Sequence, residues 1–181
     1  MIVLGIDPGT ASTGYGVVAS DPARPGRLRA LDGGVIETRA GLALERRLTT
    51  IHARVAELIA EHAPVALAIE DLYFGANAHS ALAVGQARGV VLLAAGQRGL
   101  PCGSYTPQQV KSAVCGSGRA EKAQVQEMVQ RLLSLTALPQ PDHAADALAV
   151  AICHLNRAPL AAAADRGGGR ARAVAALGGR A

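Results

Sequence analysis

Short apolar runs alternate with longer amphipathic segments along the chain, and this pattern predicts a layered α/β fold. The five runs that read as strands are residues 2–6, 15–18, 28–38, 65–69 and 101–105. Short turns separate the first three, which predicts an antiparallel meander. The fourth run is apolar throughout, as is typical of a strand covered on both faces. The sheet is therefore expected to be mixed.

Helical spacing of apolar residues predicts five helices. Their ranges are 41–62, 79–97, 107–115, 121–135 and 142–157. The second helix is rich in Ala and Gly, so it can approach another helix closely. We take it as the candidate for contact with a second copy of the chain; the alternative is packing within the chain on the sheet, which its apolar side must also provide.

Composition is consistent with one folded domain over residues 1–157. Of the 181 residues 50% are hydrophobic and only 2% aromatic, which predicts an aliphatic core. Residues 158–181 are mainly Ala, Gly and Arg without a sustained period, and we expect a largely disordered basic tail. Four arginines and one aspartate in this tail account for most of the net charge of +4. An anionic partner would therefore need a patch on the folded part.

Cysteine usage and the lack of long apolar runs favour a cytoplasmic protein. Cys102, Cys115 and Cys153 are scattered, odd in number and form no CxxC pair, so we expect buried thiols in a reducing compartment. No run reaches the length of a membrane span, and no signal-like segment precedes the first strand.

Carboxylates end two of the predicted strands and recur at the start of the last helix. Asp7 follows the first strand and Glu70 the fourth, while the helix offers Asp142, His143 and Asp146. Positions three or four apart share a helix face. Asp7 could instead only cap its turn, Asp142 could be an N-cap, and the acids could be scattered over the surface.

Acids packed together resist ionising together, and a divalent cation removes that conflict. Oxygen ligands favour Mg²⁺ or Mn²⁺. Two ions about 4 Å apart can activate a water and stabilise the leaving oxygen of a phosphodiester. The acids thus predict a metal-dependent hydrolytic site.

Four segments of the sequence resemble the RuvC-type Holliday-junction resolvases, which are bacterial endonucleases of the RNase H/retroviral-integrase superfamily. The segments are LGIDPGTASTGYGVV (4–18), AIEDLYFGANAHSALAVGQARGVV (68–91), YTPQQVKSAVCGSGRAEKAQVQEMV (105–129) and DHAADALAVAICH (142–154). With their connections they span residues 1–157. GIDPG alone is a weak signal, whereas GQARG, QVK, G-x-x-EK and the ADALA helix in this order are highly specific.

The resemblance implies an RNase H-like fold, with a central mixed five-stranded β-sheet and helices on both faces. It implies an endonuclease that resolves four-way DNA junctions in recombination and repair. The family acts as a homodimer that nicks two strands symmetrically with Mg²⁺ or Mn²⁺, two ions per active site. Its partners are a junction-binding protein and a branch-migration motor of the RuvA and RuvB type.

The family's catalytic and metal-binding positions fall on Asp7, Glu70, His143 and Asp146. The third position is often Asp, so His143 is a departure. Either His143 serves as a nitrogen ligand or proton donor, or Asp142 substitutes; the spacing of three to Asp146 favours His143. An imidazole ligand is expected to shift the preference from Mg²⁺ toward Mn²⁺.

The resemblance also implies contacts to DNA. The candidates are Tyr73, Phe74, Asn77, Arg88, Lys111, Arg119 and Lys122. An aromatic beside the site can stack on an unpaired base, and the two lysines match basic positions near the scissile phosphate. Arg88 could touch either DNA or the second subunit.

Three alternatives remain open on the sequence. GIDPGTASTG also resembles the first phosphate loop of the actin/Hsp70/sugar-kinase ATPases, which need a second lobe. The chain could also be a junction-binding module with impaired catalysis, because His143 is unusual. A nuclease for RNA/DNA hybrids is the third.

Overall fold

The computed structural model describes residues 1–24, 26–71 and 78–157, and the side chains of residues 78–80 lie outside the description. The strands are β1 (Ile2–Asp7), β2 (Ser12–Ser20), β3 (Leu28–Glu37), β4 (Ala66–Glu70) and β5 (Cys102–Tyr105). The helices are α1 (Leu44–His62), α2 (Ala78–Gly96), α3 (Pro107–Cys115), α4 (Lys122–Leu133) and α5 (142–157). The predicted tail, residues 158–181, lies outside the described residues, so the predicted domain boundary stays a prediction.

One five-stranded sheet has the order β3-β2-β1-β4-β5. The pairs β1–β2 and β2–β3 are antiparallel, whereas β1–β4 and β4–β5 are parallel. The predicted meander and mixed sheet are thereby confirmed. Since β1 and β4 run side by side in the same direction, the residues that end them lie at one edge of the sheet.

Helices cover both faces of the sheet. On one face, buried residues of α1 and α2 pack against Leu4, Ile6, Leu67 and Ile69. On the other, buried residues of α3, α4 and α5 pack against the sheet at Val3 and its neighbours. Successive strand residues point to opposite faces, so every second position of β1 and β4 faces α5.

The helix and strand ends differ from the predictions by a few residues. Helix α1 starts at Leu44 instead of residue 41, because Gly41 has φ +87° and Ala43 is extended. The pair Gly33-Gly34 predicts a break within the third strand, but both glycines pair with β2 in the ladder, so β3 is continuous. The expectation of buried cysteines was wrong for two of three: only Cys153 is buried, and Cys102 is exposed because β5 is an edge strand.

Among the helices of the described residues, none combines the length and apolar character that a membrane span requires.

A pair of glycines brings α5 into direct contact with the sheet. Gly5 and Gly16 are partners in the β1–β2 ladder. A Cβ on Gly5 would collide with the carbonyl oxygen of Ala147 and lie 2.8 Å from the Ala151 nitrogen, while one on Gly16 would lie 2.8 Å from the Leu148 nitrogen. The helix backbone therefore occupies the space that two side chains would need.

This packing predicts that Gly5→Ala destabilises the fold. The atoms that the new Cβ would meet belong to the backbone of α5, so a rotamer change cannot relieve the clash. We therefore expect a loss of about 3 kcal/mol in the free energy of unfolding. Urea unfolding measures it. Gly33→Ala is the matched control, because its Cβ would meet neighbours only at 3.6 Å or more and should change stability little. Equal stability of the two variants would contradict the packing.

Candidate active site

Two carboxylates meet at the edge of the sheet where β1 and β4 end. Ile6 and Ile69 are ladder partners, so the next residues, Asp7 and Glu70, lie side by side. Alternation places both side chains on the α5 face, in line with Gly5 and Ala68. The turn after β1 is closed by the buried Thr13, whose hydroxyl donates to the Gly9 carbonyl at 2.6 Å.

The first turn of α5 completes the cluster. His143 Nδ1 donates to Asp7 Oδ2 at 2.7 Å. Asp7 therefore binds a group 136 positions away instead of capping its own turn. Gly14 makes this approach possible, because a Cβ there would collide with the His143 carbonyl oxygen.

Electrostatics within the cluster keep the metal-free site partly protonated. Burial, together with the nearby Asp7 and Asp146 carboxylates, raises the pKa of Glu70 to about 8. Burial is also the main cause that raises the pKa of Asp146, opposed by Lys122 and increased by Asp7. Like charges in a low-dielectric site cannot all ionise, so the three carboxyls form one coupled unit.

Asp142 lies outside this unit. Its carboxylate accepts from Gln126 Nε2 at 2.9 Å and pairs with Lys122 Nζ at 2.9 Å. The hydrogen bond from Lys122 is the main cause that lowers the pKa of Asp142. Lys122 Nζ also lies 3.7 Å from Asp146 Oδ2. The geometry therefore places His143, and not Asp142, beside Asp7.

Basic side chains border the cluster. Lys111 and Lys122 line a cavity of about 200 Å³ together with Glu70 and Asp146. Lys111 acts to lower the pKa of Glu70, which shows that its charge is felt at the carboxylates. An anion entering this cavity would meet both ammonium groups.

A divalent cation suits the chemistry of these donors. In the described parts of the chain no three His, Cys, Asp or Glu side chains form a group that could hold a metal ion. Asp7 is paired with His143, and Asp146 lies 3.7 Å from Lys122. Glu70 and Asp146, whose pKa values are raised by burial and by neighbouring carboxylates, are nonetheless groups that a hard divalent cation stabilises in their charged form when it binds. The residue types fit the expected ion.

The other predicted site residues fall in different places. Tyr73, Phe74 and Asn77 lie outside the described residues. Arg119 is exposed in the loop between α3 and α4. Arg88 donates to acceptors within the chain on the α2 face of the sheet, and its expected contact to DNA or a second subunit stays a prediction.

Two contributors were missed by reasoning from the sequence. Gln126 holds Asp142, and Thr13 closes the turn behind Asp7. The four-residue spacing of Lys122 and Gln126 on one face of α4 is a signal for the first. Thr13 carried no comparable signal, because a threonine in a glycine-rich turn has many possible partners.

Comparison with known proteins gives a consistent result. A family model described as "Crossover junction endodeoxyribonuclease RuvC" matches residues 3–154. A protein of that name from Moorella thermoacetica is 57% identical, over 88% of this chain and 93% of its own length. One from Thermomicrobium roseum is 55% identical, over 85% and 92%.

Solved structures agree with the sequence matches. Thermus thermophilus RuvC in complex with a Holliday junction substrate is 41% identical, with a TM-score of 0.85, over 89% of this chain and 96% of that one. The yeast mitochondrial Holliday junction resolvase Ydc2 is only 14% identical, with a TM-score of 0.60 over 85% of this chain and 78% of that one. The second likeness shows the shared fold alone.

The raised pKa of Glu70 predicts a pH-dependent effect of Glu70→Gln on metal-free protein. The protonated carboxyl is favoured in the folded state, so its contribution is full below about pH 4.5 and is lost as the pH rises through about 8. Glu70→Gln should therefore raise Tm in EDTA by several degrees at pH 8.5 and by clearly less at pH 5, at about 2–4 °C per kcal/mol.

Differential scanning calorimetry at the two pH values measures this difference. Glu127→Gln on the exposed side of α4 is the control and should show no pH-dependent gain. Adding Mg²⁺ or Mn²⁺ at pH 8.5 should raise Tm of the wild type more than that of Glu70→Gln. A Glu70→Gln protein that is less stable than wild type at pH 8.5 in EDTA would show that the carboxyls do not repel.

Proposed function

The chain belongs to the RuvC family of crossover junction endodeoxyribonucleases, and we propose that it resolves four-way (Holliday) DNA junctions by paired symmetric nicks at this acidic cluster. The proposed catalytic and metal-binding residues are Asp7, Glu70, His143 and Asp146. The observation that supports them is the convergence of three carboxyls from β1, β4 and α5 in which Glu70 reaches a pKa of about 8.

The proposed reaction is hydrolysis of one phosphodiester in each of two strands. A pair of Mg²⁺ or Mn²⁺ ions would supply activation of the attacking water and stabilisation of the departing 3′ oxygen. Asp7, Glu70 and Asp146 would bind through oxygen, and His143 through nitrogen. The products would carry 5′-phosphate and 3′-hydroxyl ends without a covalent enzyme intermediate.

Basic groups around the cavity would receive the DNA backbone. Lys111 and Lys122 lie beside the carboxylates, where their charges can offset those of the scissile phosphate. Lys122 is paired with two aspartates here, so phosphate would compete with them for its ammonium group. Arg119 lies in the loop between the two helices and would extend this surface. Base stacking by Tyr73 and Phe74, and a DNA contact by Asn77, stay proposals from the sequence.

A homodimer would place two such sites on one junction. The outer face of α2 carries the exposed Leu82 and Leu93, which are 62% and 53% accessible. They are eleven positions apart, about three helical turns, so they share one side of the helix. Gly89 lies on that side, and a Cβ there would meet no atom within 4 Å. An exposed apolar stripe with a glycine at its centre suits close packing against a two-fold related copy.

We also propose further partners and a compartment. A junction-binding protein and a branch-migration motor of the RuvA and RuvB type would deliver the junction. The three cysteines are free thiols, which favours a reducing compartment such as the cytoplasm.

Cleavage of a synthetic mobile four-way junction tests the function. We expect paired symmetric nicks in the junction and none in a linear duplex of the same sequence, each assayed with Mg²⁺ and Mn²⁺. Asp7→Asn should lower the cleavage rate at least ~100-fold, because it removes the charge at the centre of the cluster. Asp32→Asn is the control, since that carboxylate pairs with His62 of α1.

The outcomes of this assay distinguish the possible functions of the protein and of its acidic cluster. Faster cleavage with Mn²⁺ than with Mg²⁺ would support His143 as a nitrogen ligand. Tight junction binding without nicks in either ion would mean a junction-binding module with impaired catalysis. Cleavage that survives Asp7→Asn would exclude the acidic cluster as the active site.

The apolar stripe on α2 predicts that Leu93→Asp separates the dimer. A charge at a packed apolar contact is costly, so at ~10 μM we expect monomers by analytical ultracentrifugation, with Tm of the subunit preserved. Leu138→Asp is the control, because Leu138 is also exposed but lies outside α2. Paired nicking should become independent single nicks in Leu93→Asp only. A dimeric Leu93→Asp protein would remove α2 from the interface.

A further inference from the structure

Arg88 on α2 contacts the ends of two neighbouring strands. Its Nη1 donates to the backbone carbonyl of Glu70 at 2.7 Å. Its Nη2 donates to Ser104 Oγ at 2.6 Å and pairs with Asp71 Oδ1 at 3.0 Å. One guanidinium thus joins β4, the residue that follows β4, and β5.

The three acceptors leave Arg88 poorly placed to bind DNA. Its side chain is only 16% exposed, and its charge is matched by the Asp71 carboxylate. Asp71 and Ser104 lie on the α2 face of the strands, one alternation away from the Glu70 carboxylate on the α5 face. Arg88 therefore acts on the far side of the strand from the carboxylate cluster.

The contact bears on Glu70 through its backbone. The Glu70 carbonyl carbon is bonded to the Glu70 Cα, so a displacement of the strand end at this carbonyl would shift the Cα that carries the Glu70 side chain. The next ladder bond, from the Asp71 amide to the Tyr105 carbonyl at 2.8 Å, is the last described contact before residue 72. Among the contacts of the described residues, few others restrain this strand end.

We propose that Arg88 is a positioning residue that holds the Glu70–Asp71 peptide, and with it the direction of the Glu70 carboxylate. The proposal rests on the proposed function of Glu70 as a metal-binding residue of a junction nuclease. A rigid fork with two terminal nitrogens can satisfy acceptors on two strands at once, which a lysine ammonium cannot reproduce in the same geometry. Arg88→Lys should therefore fail to hold the Glu70–Asp71 peptide, although it keeps the positive charge.

Amide hydrogen exchange tests the contact itself, apart from any activity. In Arg88→Gln we expect the amide of Asp71 to exchange at least ~10-fold faster, because its ladder bond loses the support of the neighbouring carbonyl. The amide of Leu67, which bonds to Pro101 farther back in the same ladder, is the internal control and should be unchanged. Unchanged exchange at Asp71 would overturn the proposal whatever the enzyme does.

Catalytic and binding measurements test the consequence. Arg88→Gln and Arg88→Lys should keep the dissociation constant for the junction, measured with Ca²⁺, within ~3-fold of wild type. Their single-turnover cleavage rate at saturating enzyme should fall ~100-fold, as expected for a misplaced group at the reaction centre. Their affinity for Mn²⁺ without DNA, followed by electron paramagnetic resonance, should fall as well. Asp71→Asn and Ser104→Ala each remove one anchor, and we expect smaller losses in the same direction.

Arg54→Gln is the matched control, since Arg54 is also ion-paired on this side of the sheet, with Glu57 and Glu61 of α1. It should leave exchange at Asp71, Mn²⁺ affinity and the cleavage rate unchanged. A weaker junction affinity in Arg88→Gln with an unchanged rate in the bound complex would overturn the proposal in favour of a DNA contact. If the wild type cuts no junction, the proposed function fails, and the exchange at Asp71 still decides whether Arg88 holds the strand end.

Discussion

The direct contact between α5 and the β1–β2 pair is the constraint on which the active-site geometry depends. Gly5 and Gly16 face each other across the ladder, and the helix backbone fills the space above them. A helix resting on ordinary side chains would sit several ångströms higher. His143 could not then reach Asp7 at 2.7 Å. The absence of these two side chains therefore decides whether α5 contributes to the site at all.

The cluster that this contact creates is electrostatically unfavourable without a cation. Three carboxyls share one end of the sheet, and burial with mutual repulsion raises the pKa of Glu70 to about 8. Lys122 and His143 offset part of the charge from the α4 and α5 side. Such a site costs stability in the metal-free protein, and strain of this kind is typical of sites shaped for binding rather than for folding.

The two faces of the sheet carry different tasks in the proposed enzyme. The α5 face brings together the acids and the lysines that would meet metal and phosphate. The α2 face carries the apolar stripe proposed for dimer contact. Beside this stripe lies Arg88, which donates a hydrogen bond to the Glu70 carbonyl. The sheet between them is what lets a contact on one face orient a carboxylate on the other, because successive residues of β4 point in opposite directions.

The sequence by itself determined the order and type of the elements and the two acids at the strand ends. Local periodicity encodes these features, since the burial of one face leaves a repeat of two or of 3.6 residues along the chain. Errors in the bounds of the elements amounted to a few residues, as at Gly41, where turn geometry and periodicity compete. The motifs were specific enough to indicate the family.

Only the tertiary structure decided which partners the site residues take. Whether His143 or Asp142 contacts Asp7 depends on how α5 is rotated about its axis over the sheet. His143 and Asp7 are 136 positions apart in the sequence. Nothing local distinguishes Gly5 and Gly16 from the rest of the 21 glycines, because their role is set by a helix far along the chain. Arg88 likewise is of a residue type that is common in DNA contacts, and only the fold directs its side chain toward the end of β4. Long-range packing is the physical reason, since it fixes distances that no local pattern records.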